Sequence, residues 1–355
     1  MKIIYKSIFK ELIITFLLCL ASLNFILMME KLLKLSRFLS GVGSSIWDMI
    51  KIILYLQPQL FLITIPMALL LSSLIAYGRM NFDNELIILR MSGLKFYQIS
   101  YPVIISGIFC FIINLSIGYY IGPESSRKLR EEITGIVRER TPSAIEEGNF
   151  NNIFKDILIY AKEKTNNNTI KGIFIYDNRT KDEPKILTAE KGNISAGEGF
   201  SIMLNLNNGY IHIAKKEQTT EIYFNKYNMI LEPEAEAPSR KSSEMKPSEF
   251  IEKIKQSDTH NAKFIYLDLY RRFSLPVLCI VIAFLAPPLS LISGKSGRLG
   301  GLTVGLATFT FYYILLVYGE NLVRAGKIPH YIGAWASTII IGIFAILLFK
   351  RESSK

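Results

Sequence analysis

The sequence has 355 residues, half of them hydrophobic, with a mean hydropathy of +0.28 and a formal net charge of +11. The apolar residues lie in long runs and the charged residues gather between them. This pattern excludes an ordinary soluble domain and indicates an integral membrane protein with a sizeable polar insert. The cysteines lie inside apolar runs and the histidines are scattered, so we expect neither a disulfide framework nor a metal site. These residues are Cys19, Cys110, Cys279, His212, His260 and His330.

Three apolar runs precede the insert, at about residues 12–29, 52–77 and 99–121. Each is long enough to cross a hydrocarbon core of about 30 Å. The first competes with a signal peptide, but its length and the lack of a small-x-small cleavage site favour a retained span. The second contains Pro58 and Pro66, which predict kinks where neighbouring helices satisfy the freed carbonyls.

The segment between the second and third spans predicts a short amphipathic helix at about residues 81–93. Asn81 or Asp83 is the expected N-cap, and Gly93 lies just past the expected end. One interpretation is a helix lying in the lipid interface, and the other is a docking helix for a cytoplasmic partner. The candidate contact residues for docking are Asp83, Glu85, Leu86, Leu89 and Arg90.

A long polar region follows the third span and carries short strand patterns beyond Glu147. Residues 153–160 and 170–176 flank an asparagine run at 166–168, which predicts a hairpin. Further strands are expected at 186–188, 200–206, 210–214 and 221–230, with a tight turn at 207–209. The pattern predicts an all-β sandwich or barrel, with Phe174 and Ile202 among the inward positions.

Three more spans follow, at about residues 273–292, 302–318 and 331–349, so that three lie on each side of the insert. Lysine and arginine are more frequent in the short segments on the side of both termini, which predicts cytoplasmic termini and an outward insert. Basic residues nevertheless recur at the outer ends of spans. They either snorkel to headgroups or bind a ligand rich in phosphate or carboxylate. They are Lys31, Lys34, Arg37, Arg271, Arg272, Arg324 and Lys327.

Catalysis finds no support in the sequence, which shows neither a Ser-His-Asp order nor paired carboxylates within a span. The tripeptide Gly294-Lys295-Ser296 resembles the end of a phosphate-binding loop, but the glycine that such a loop needs is replaced by Leu289. We therefore expect no catalytic residue, and any ATP-driven work must come from another chain.

Four short motifs resemble those of the LptF/LptG permeases of the lipopolysaccharide export ABC transporter, a family also called YjgP/YjgQ. They are NELIILRMSG at 84–93, GPESSR at 122–127, RRFSLP at 271–276 and GENLVRAGKIP at 319–329. Their order and their placement around a β insert make the resemblance specific, and it covers nearly the whole chain.

The resemblance implies a multi-pass permease of the inner membrane that extracts lipopolysaccharide, or a related anionic glycolipid, from the outer leaflet. Residues 1–122 hold spans one to three, 123–265 a periplasmic β-jellyroll domain with flanking helices, and 266–355 spans four to six. The segment at 81–93 becomes the coupling helix for the LptB ATPase, with Glu85 at the acidic coupling position. Lys31 and Lys34 lie in the region that meets lipid A phosphates.

The implied partners are a second permease of the family, LptB, and the periplasmic proteins LptC and LptA. The permease binds no cofactor, because ATP and magnesium are used by LptB. The stretch MEKLLKL at 29–35 is closer to the LptF side of the heterodimer.

Two other classes stay open on the sequence. A different ABC permease, such as one for lipoprotein release, has fewer spans, and counting spans distinguishes it. A membrane-anchored periplasmic sensor or binding protein leaves the docking helix without a role, and purification without any ATPase partner favours it.

Overall fold

The structure is a computed structural model that describes residues 2–40, 45–144, 147–154, 156–166, 168–180, 184–196, 202–215, 218–231, 244–246, 249–250, 259–292 and 297–354. The chain divides into two compact units. The first comprises Met1–Met28, Leu56–Ser126 and Arg240–Lys355, and the second comprises Met29–Tyr55 and Arg127–Ser239.

The helices before the insert are α1 (Lys2–Ser40), α2 (Ile46–Phe82), α3 (Glu85–Met91), α4 (Phe96–Ser116) and α5 (Gly122–Ala144), with a π-helical turn at Ile117–Ile121 between α4 and α5. After it come α6 (Thr259–Ile292), α7 (Gly297–Arg324) and α8 (His330–Ser353). Within the described residues, six helical segments are long and apolar enough to cross a membrane, which confirms the predicted number of spans. The third segment, Phe96–Ile136, continues beyond the predicted end at residue 121.

The first unit has a core in which side chains from α2, α4, α6, α7 and α8 pack together. Its buried residues include Leu69, Cys110, Cys279, Tyr312 and Ile341. Small residues allow the helices to approach closely. A Cβ on Gly301 of α7 would lie 2.5 Å from the Leu74 carbonyl oxygen of α2, and one on Gly319 would lie 2.6 Å from the carbonyl oxygen of Gly333 in α8.

A polar contact inside this unit resolves the problem that Pro66 creates in α2. Proline has no N–H, so the carbonyl four residues earlier, at Leu62, loses its helical partner. Asn114 of α4 is fully buried, and its Nδ2 donates a hydrogen bond to that carbonyl over 3.2 Å. The expectation that a neighbouring helix satisfies a carbonyl freed by proline is therefore confirmed at Pro66.

The second unit contains an antiparallel sheet in which each strand pairs with the next in sequence. The strands are β1 (Phe150–Phe154), β2 (Ile157–Asn166), β3 (Thr169–Asp177), β4 (Lys185–Ala196), β5 (Ile202–Lys215) and β6 (Gln218–Leu231). The all-β insert and the β2–β3 hairpin are confirmed. The strand order is that of a meander, whereas a jellyroll proper folds two Greek keys.

Two local predictions in the sheet are wrong. Residues 153–160 do not form one strand, because the chain turns at Asp156 (φ 57°) and folds β1 back on β2. No turn lies at residues 207–209, which continue within β5 although Asn208 has a φ of 52°. The glycine there serves close packing, since a Cβ on Gly209 would lie 2.6 Å from the ring of Phe224.

One face of the sheet is closed by its own apolar side chains. Ile159, Ile170, Ile175 and Leu204 are fully buried. The prediction that Phe174 points inward is wrong, because its neighbours Ile173 and Ile175 occupy the buried face and Phe174 is half-buried on the other. The side chain of Ile202 lies outside the part of the chain that the structure describes.

Arg179, paired with the buried Asp177, links strands that are not neighbours in the sheet. Asp177 ends β3 with only 7% of its surface exposed, and it accepts hydrogen bonds from Arg179 Nε at 2.9 Å and Nη2 at 2.7 Å. Arg179 Nη1 donates in turn to the Ile230 carbonyl of β6 over 3.1 Å. Since β4 and β5 lie between β3 and β6 in the sheet, this bridge requires the sheet to curve.

We predict that Asp177→Asn destabilises the sheet at pH 7. Burial alone would raise the pKa of Asp177, but the hydrogen bonds and charge of Arg179 hold that pKa below its ordinary value. The stabilisation is therefore present above the unfolded pKa of about 4 and is lost as pH falls through the lower folded pKa. The expected loss at pH 7 is about 1 to 2 kcal/mol, because Arg179 is half exposed.

The measurement is hydrogen exchange of the β3 and β6 amides in the full-length chain, between pH 3 and pH 7. Glu221→Gln is the control, since Glu221 forms an exposed pair with His212 at 3.2 Å. Equal protection in Asp177→Asn and wild type at pH 7 contradicts the prediction.

Candidate coupling helix and cation clusters

The helix α3 is separated from α2 by a sharp break in the backbone. Asn84 occupies the N-cap with a left-handed φ of 59° and makes no side-chain cap bond, so the prediction of Asn81 or Asp83 as the cap is wrong. Asparagine tolerates this conformation better than most residues. Gly93 follows the helix with a φ of 88°, in the position expected for a terminating glycine.

The acidic start of α3 is bound by Arg79, near the end of α2. Glu85 accepts from Arg79 Nη1 at 2.8 Å and from Nη2 at 3.3 Å, and Asp83 accepts from Nη1 at 2.9 Å. Glu11 of α1 completes the set, accepting from Nε at 2.5 Å and from Nη2 at 2.6 Å. The two carboxylates predicted as partner contacts therefore share one intramolecular cation.

The basic end of α3 is bound in a similar way. Arg90 Nη2 lies 3.4 Å from Glu352 Oε2 near the end of α8. Its guanidinium also lies 5.0 Å from the ring centroid of Phe96, within the range of a cation–π interaction. Both charged ends of α3 are thus fixed by their own chain.

The apolar residues of α3 divide between a buried and an exposed face. Leu86 is 3% exposed and packs in a cluster with Ile8, Leu12 and Tyr77, and Leu89 lies against the same cluster. Ile87, Ile88 and Met91 are exposed, Met91 by 82%. Contact of Leu86 and Leu89 with a partner stays a prediction. The face of α3 that is exposed to solvent is the one around Met91.

Two of the predicted phosphate-binding cations have partners within the chain. Arg271 pairs with Glu320 over 3.5 Å. Arg272 donates to the Met245 carbonyl over 2.7 Å and lies 4.7 Å from the centroid of the buried Phe250 ring. Arg272 therefore holds the segment that returns from the insert against α6.

The other predicted cations are either exposed or outside the described side chains. Arg324 ends α7, Lys327 follows it, and both are exposed, as is Lys31 of α1. The side chains of Lys34 and Arg37 lie outside the part of the chain that the structure describes. Binding of phosphate by any of the seven stays a prediction.

The described residues contain no group of three His, Cys, Asp or Glu side chains placed to hold a metal ion. The residues that sequence reasoning missed are Glu11, Arg79 and Glu352. Glu11 could have been found from the sequence. An acidic residue near the start of an otherwise apolar span is energetically unfavourable in a membrane, which makes it a candidate functional residue. Their pairing with α3 required the fold.

The sequence is similar to permeases of the lipopolysaccharide export system. The family described as lipopolysaccharide export system permease LptF/LptG matches residues 6–351. An uncharacterized protein of Rickettsia prowazekii (strain Madrid E) is 27% identical over 208 residues, which cover 58% of this chain and 57% of that protein. The lipopolysaccharide export system permease protein LptF of Escherichia coli (strain K12) is 20% identical over 295 residues, covering 82% of this chain and 79% of that protein. LptF of Shigella flexneri matches to the same extent.

Proposed function

Since the chain belongs to the LptF/LptG family of lipopolysaccharide export permeases, we propose that it converts the work of a partner ATPase into extraction of lipopolysaccharide from the inner membrane. A related anionic glycolipid is the alternative substrate, because it carries the same combination of acyl chains and negative charge. The observation that carries the proposal is the family match over residues 6–351, joined to a short helix that keeps an apolar face exposed between two spans. No cofactor is needed in this chain, because the partner uses ATP and magnesium.

The proposed assembly contains this chain, a second permease of the family, the LptB ATPase, and the periplasmic proteins LptC and LptA. The curated matches named LptF support the LptF position in the permease pair. The proposal places both termini in the cytoplasm and the β insert in the periplasm, where it would receive the lipid from the membrane part.

The contact with the ATPase is proposed to use the exposed face of α3. Ile87, Ile88 and Met91 form an apolar surface between two charged ends that are already paired. An apolar helix face is suited to a groove in a partner, where its burial is favourable. Glu85 remains partly exposed, so it can accept a further basic group from the partner.

We predict that Met91→Asp weakens association with the ATPase at least tenfold, because it introduces a charge into an apolar contact; a tenfold change corresponds to about 1.4 kcal/mol. The measurement is the amount of ATPase that copurifies per folded permease. Met91→Leu is the matched control, since it conserves volume and apolarity and should behave as wild type. Normal copurification of Met91→Asp would rule out this face as the docking surface.

Lipid phosphates are proposed to meet the exposed cations first. Arg324 and Lys327 are exposed, whereas Arg271 and Arg272 contact a carboxylate, a carbonyl and an aromatic ring of the chain itself. Lys31 and Lys34 keep the role that the family resemblance implies. Arg272 would then act mainly in stability.

We predict that Arg324→Glu with Lys327→Glu lowers the lipopolysaccharide that copurifies per folded complex by at least fivefold, about 1 kcal/mol. Charge reversal repels phosphate, and the fold should be spared because both side chains are exposed. Arg272→Gln should show the opposite pattern, with a lower melting temperature and near-normal lipid per surviving complex. Mass spectrometry of bound lipid together with thermal unfolding measures both. Unchanged occupancy in the double variant contradicts the assignment.

A further inference from the structure

We infer that Arg79 is a positioning residue that joins the coupling helix α3 to the first span α1, with Glu11 as the receiving group. The inference rests on the proposed function, because it concerns how motion of α3 reaches the membrane part. It adds two residues that the sequence did not single out.

The hydrogen-bond count of Arg79 is complete. A guanidinium has five N–H donors, and each has a carboxylate oxygen as its partner. One Nε–H and one Nη2–H go to the two oxygens of Glu11, in the fork arrangement that gives a guanidinium its strongest pairing. The remaining three go to Asp83 and Glu85. Lysine has three donors on one nitrogen, so it cannot reproduce this set.

The break at Asn84 explains why the link is needed. A continuous helix would carry motion of α3 directly along α2, but the left-handed residue interrupts the backbone hydrogen bonds between them. Arg79 lies before the break and Glu85 after it, so their contact spans the interruption. Glu11 lies on a different helix, and through it the same guanidinium also holds α1.

An apolar cluster reinforces the same junction. Ile8 and Leu12 flank Glu11 on α1, and both pack in the cluster that contains Leu86 of α3 and Tyr77 of α2. Tyr77 also donates its hydroxyl to the Ile99 carbonyl of α4 over 2.7 Å. The first turns of α1 are thus joined to α3 in two ways, by the ion pairs that both make with Arg79 of α2 and by the shared apolar cluster, so we expect a displacement of α3 to move them with it.

Because the Arg79 network is partly exposed, changes in it should affect coupling more than folding. The Arg79 side chain is 24% exposed and the Glu85 side chain 43%. The apolar cluster beneath remains when one carboxylate is neutralised, so the helices should stay packed. What is lost is the fixed orientation of α3 relative to α1. This predicts variants that assemble and hydrolyse ATP but move little lipid.

The test uses the complete complex with its ATPase partner in nanodiscs, supplied with lipopolysaccharide. Three quantities are measured for Glu11→Gln, Arg79→Lys and the double variant: copurified ATPase, ATP hydrolysis, and lipopolysaccharide extracted per ATP hydrolysed. We expect extraction per ATP to fall at least fivefold in each single variant, with copurified ATPase within twofold of wild type. The double variant should equal the worse single variant, because both changes break one link.

Glu132→Gln is the matched control. Glu132 forms an ion pair with Lys51 at 2.5 Å in the other unit, a distance equal to that of the Arg79–Glu11 pair. It should leave extraction per ATP unchanged. A wild-type complex that extracts no lipopolysaccharide overturns the proposed function and this inference with it. An active wild type with normal extraction per ATP in Glu11→Gln overturns the inference alone. Losses that track the amount of folded complex overturn it as well, since they indicate a structural role only.

Discussion

The start of α3 is held by a network of ion pairs centred on one guanidinium. Arg79 gives its five donors to three carboxylates on both sides of a backbone break, and one of them, Glu11, belongs to the first span. An exposed salt bridge contributes little, but a bidentate, partly buried network is the arrangement in which such pairs matter. Arg90 is held by Glu352 at the opposite end, and Ile87, Ile88 and Met91 between the two ends are exposed. The charged side chains of α3 therefore fix the helix within its own chain, and an apolar face of the helix stays exposed.

The packing of the membrane-spanning helices is constrained because every backbone polar group away from water needs a hydrogen-bond partner within the protein. Pro66 removes a donor inside α2, and Asn114 supplies one from α4. Glycines at Gly301, Gly319 and Gly333 let helix backbones approach closely, which apolar side chains alone do not permit. A backbone carbonyl is also satisfied by a side chain near the insert, where Arg272 donates a hydrogen bond to Met245. Arg272, which is predicted from the sequence to bind a ligand phosphate, thus makes a contact within its own chain.

Sequence patterns predicted what depends on local composition. Six spans, an all-β insert and a short helix followed by the terminating residue Gly93 are predicted from run length, strand alternation and glycine chemistry, and all are confirmed. Features that depend on contacts between distant residues were not predictable. The local sequence around Gly209 favours a turn, because the packing of this glycine against Phe224 depends on a distant strand. The pairing of Glu85 with Arg79 and of Arg271 with Glu320 likewise depends on the fold, and contact of Glu85 or Arg271 with an outside partner stays a prediction. The division at residues 123 and 265, and the seven phosphate-binding cations, stay predictions.

If Arg79 joins α3 to α1 as proposed, α3 and the first turns of α1 move as one body. The most direct measurement is the distance between spin labels at Ser7 of α1 and Ser92 after α3, both exposed, introduced as noncanonical amino acids so that the three cysteines remain. It is made in the complex with its ATPase, with and without bound ATP. We expect one narrow distance distribution, unchanged by nucleotide in wild type and broadened in Glu11→Gln. A distance that shifts with nucleotide in wild type, or that stays narrow in Glu11→Gln, would contradict it.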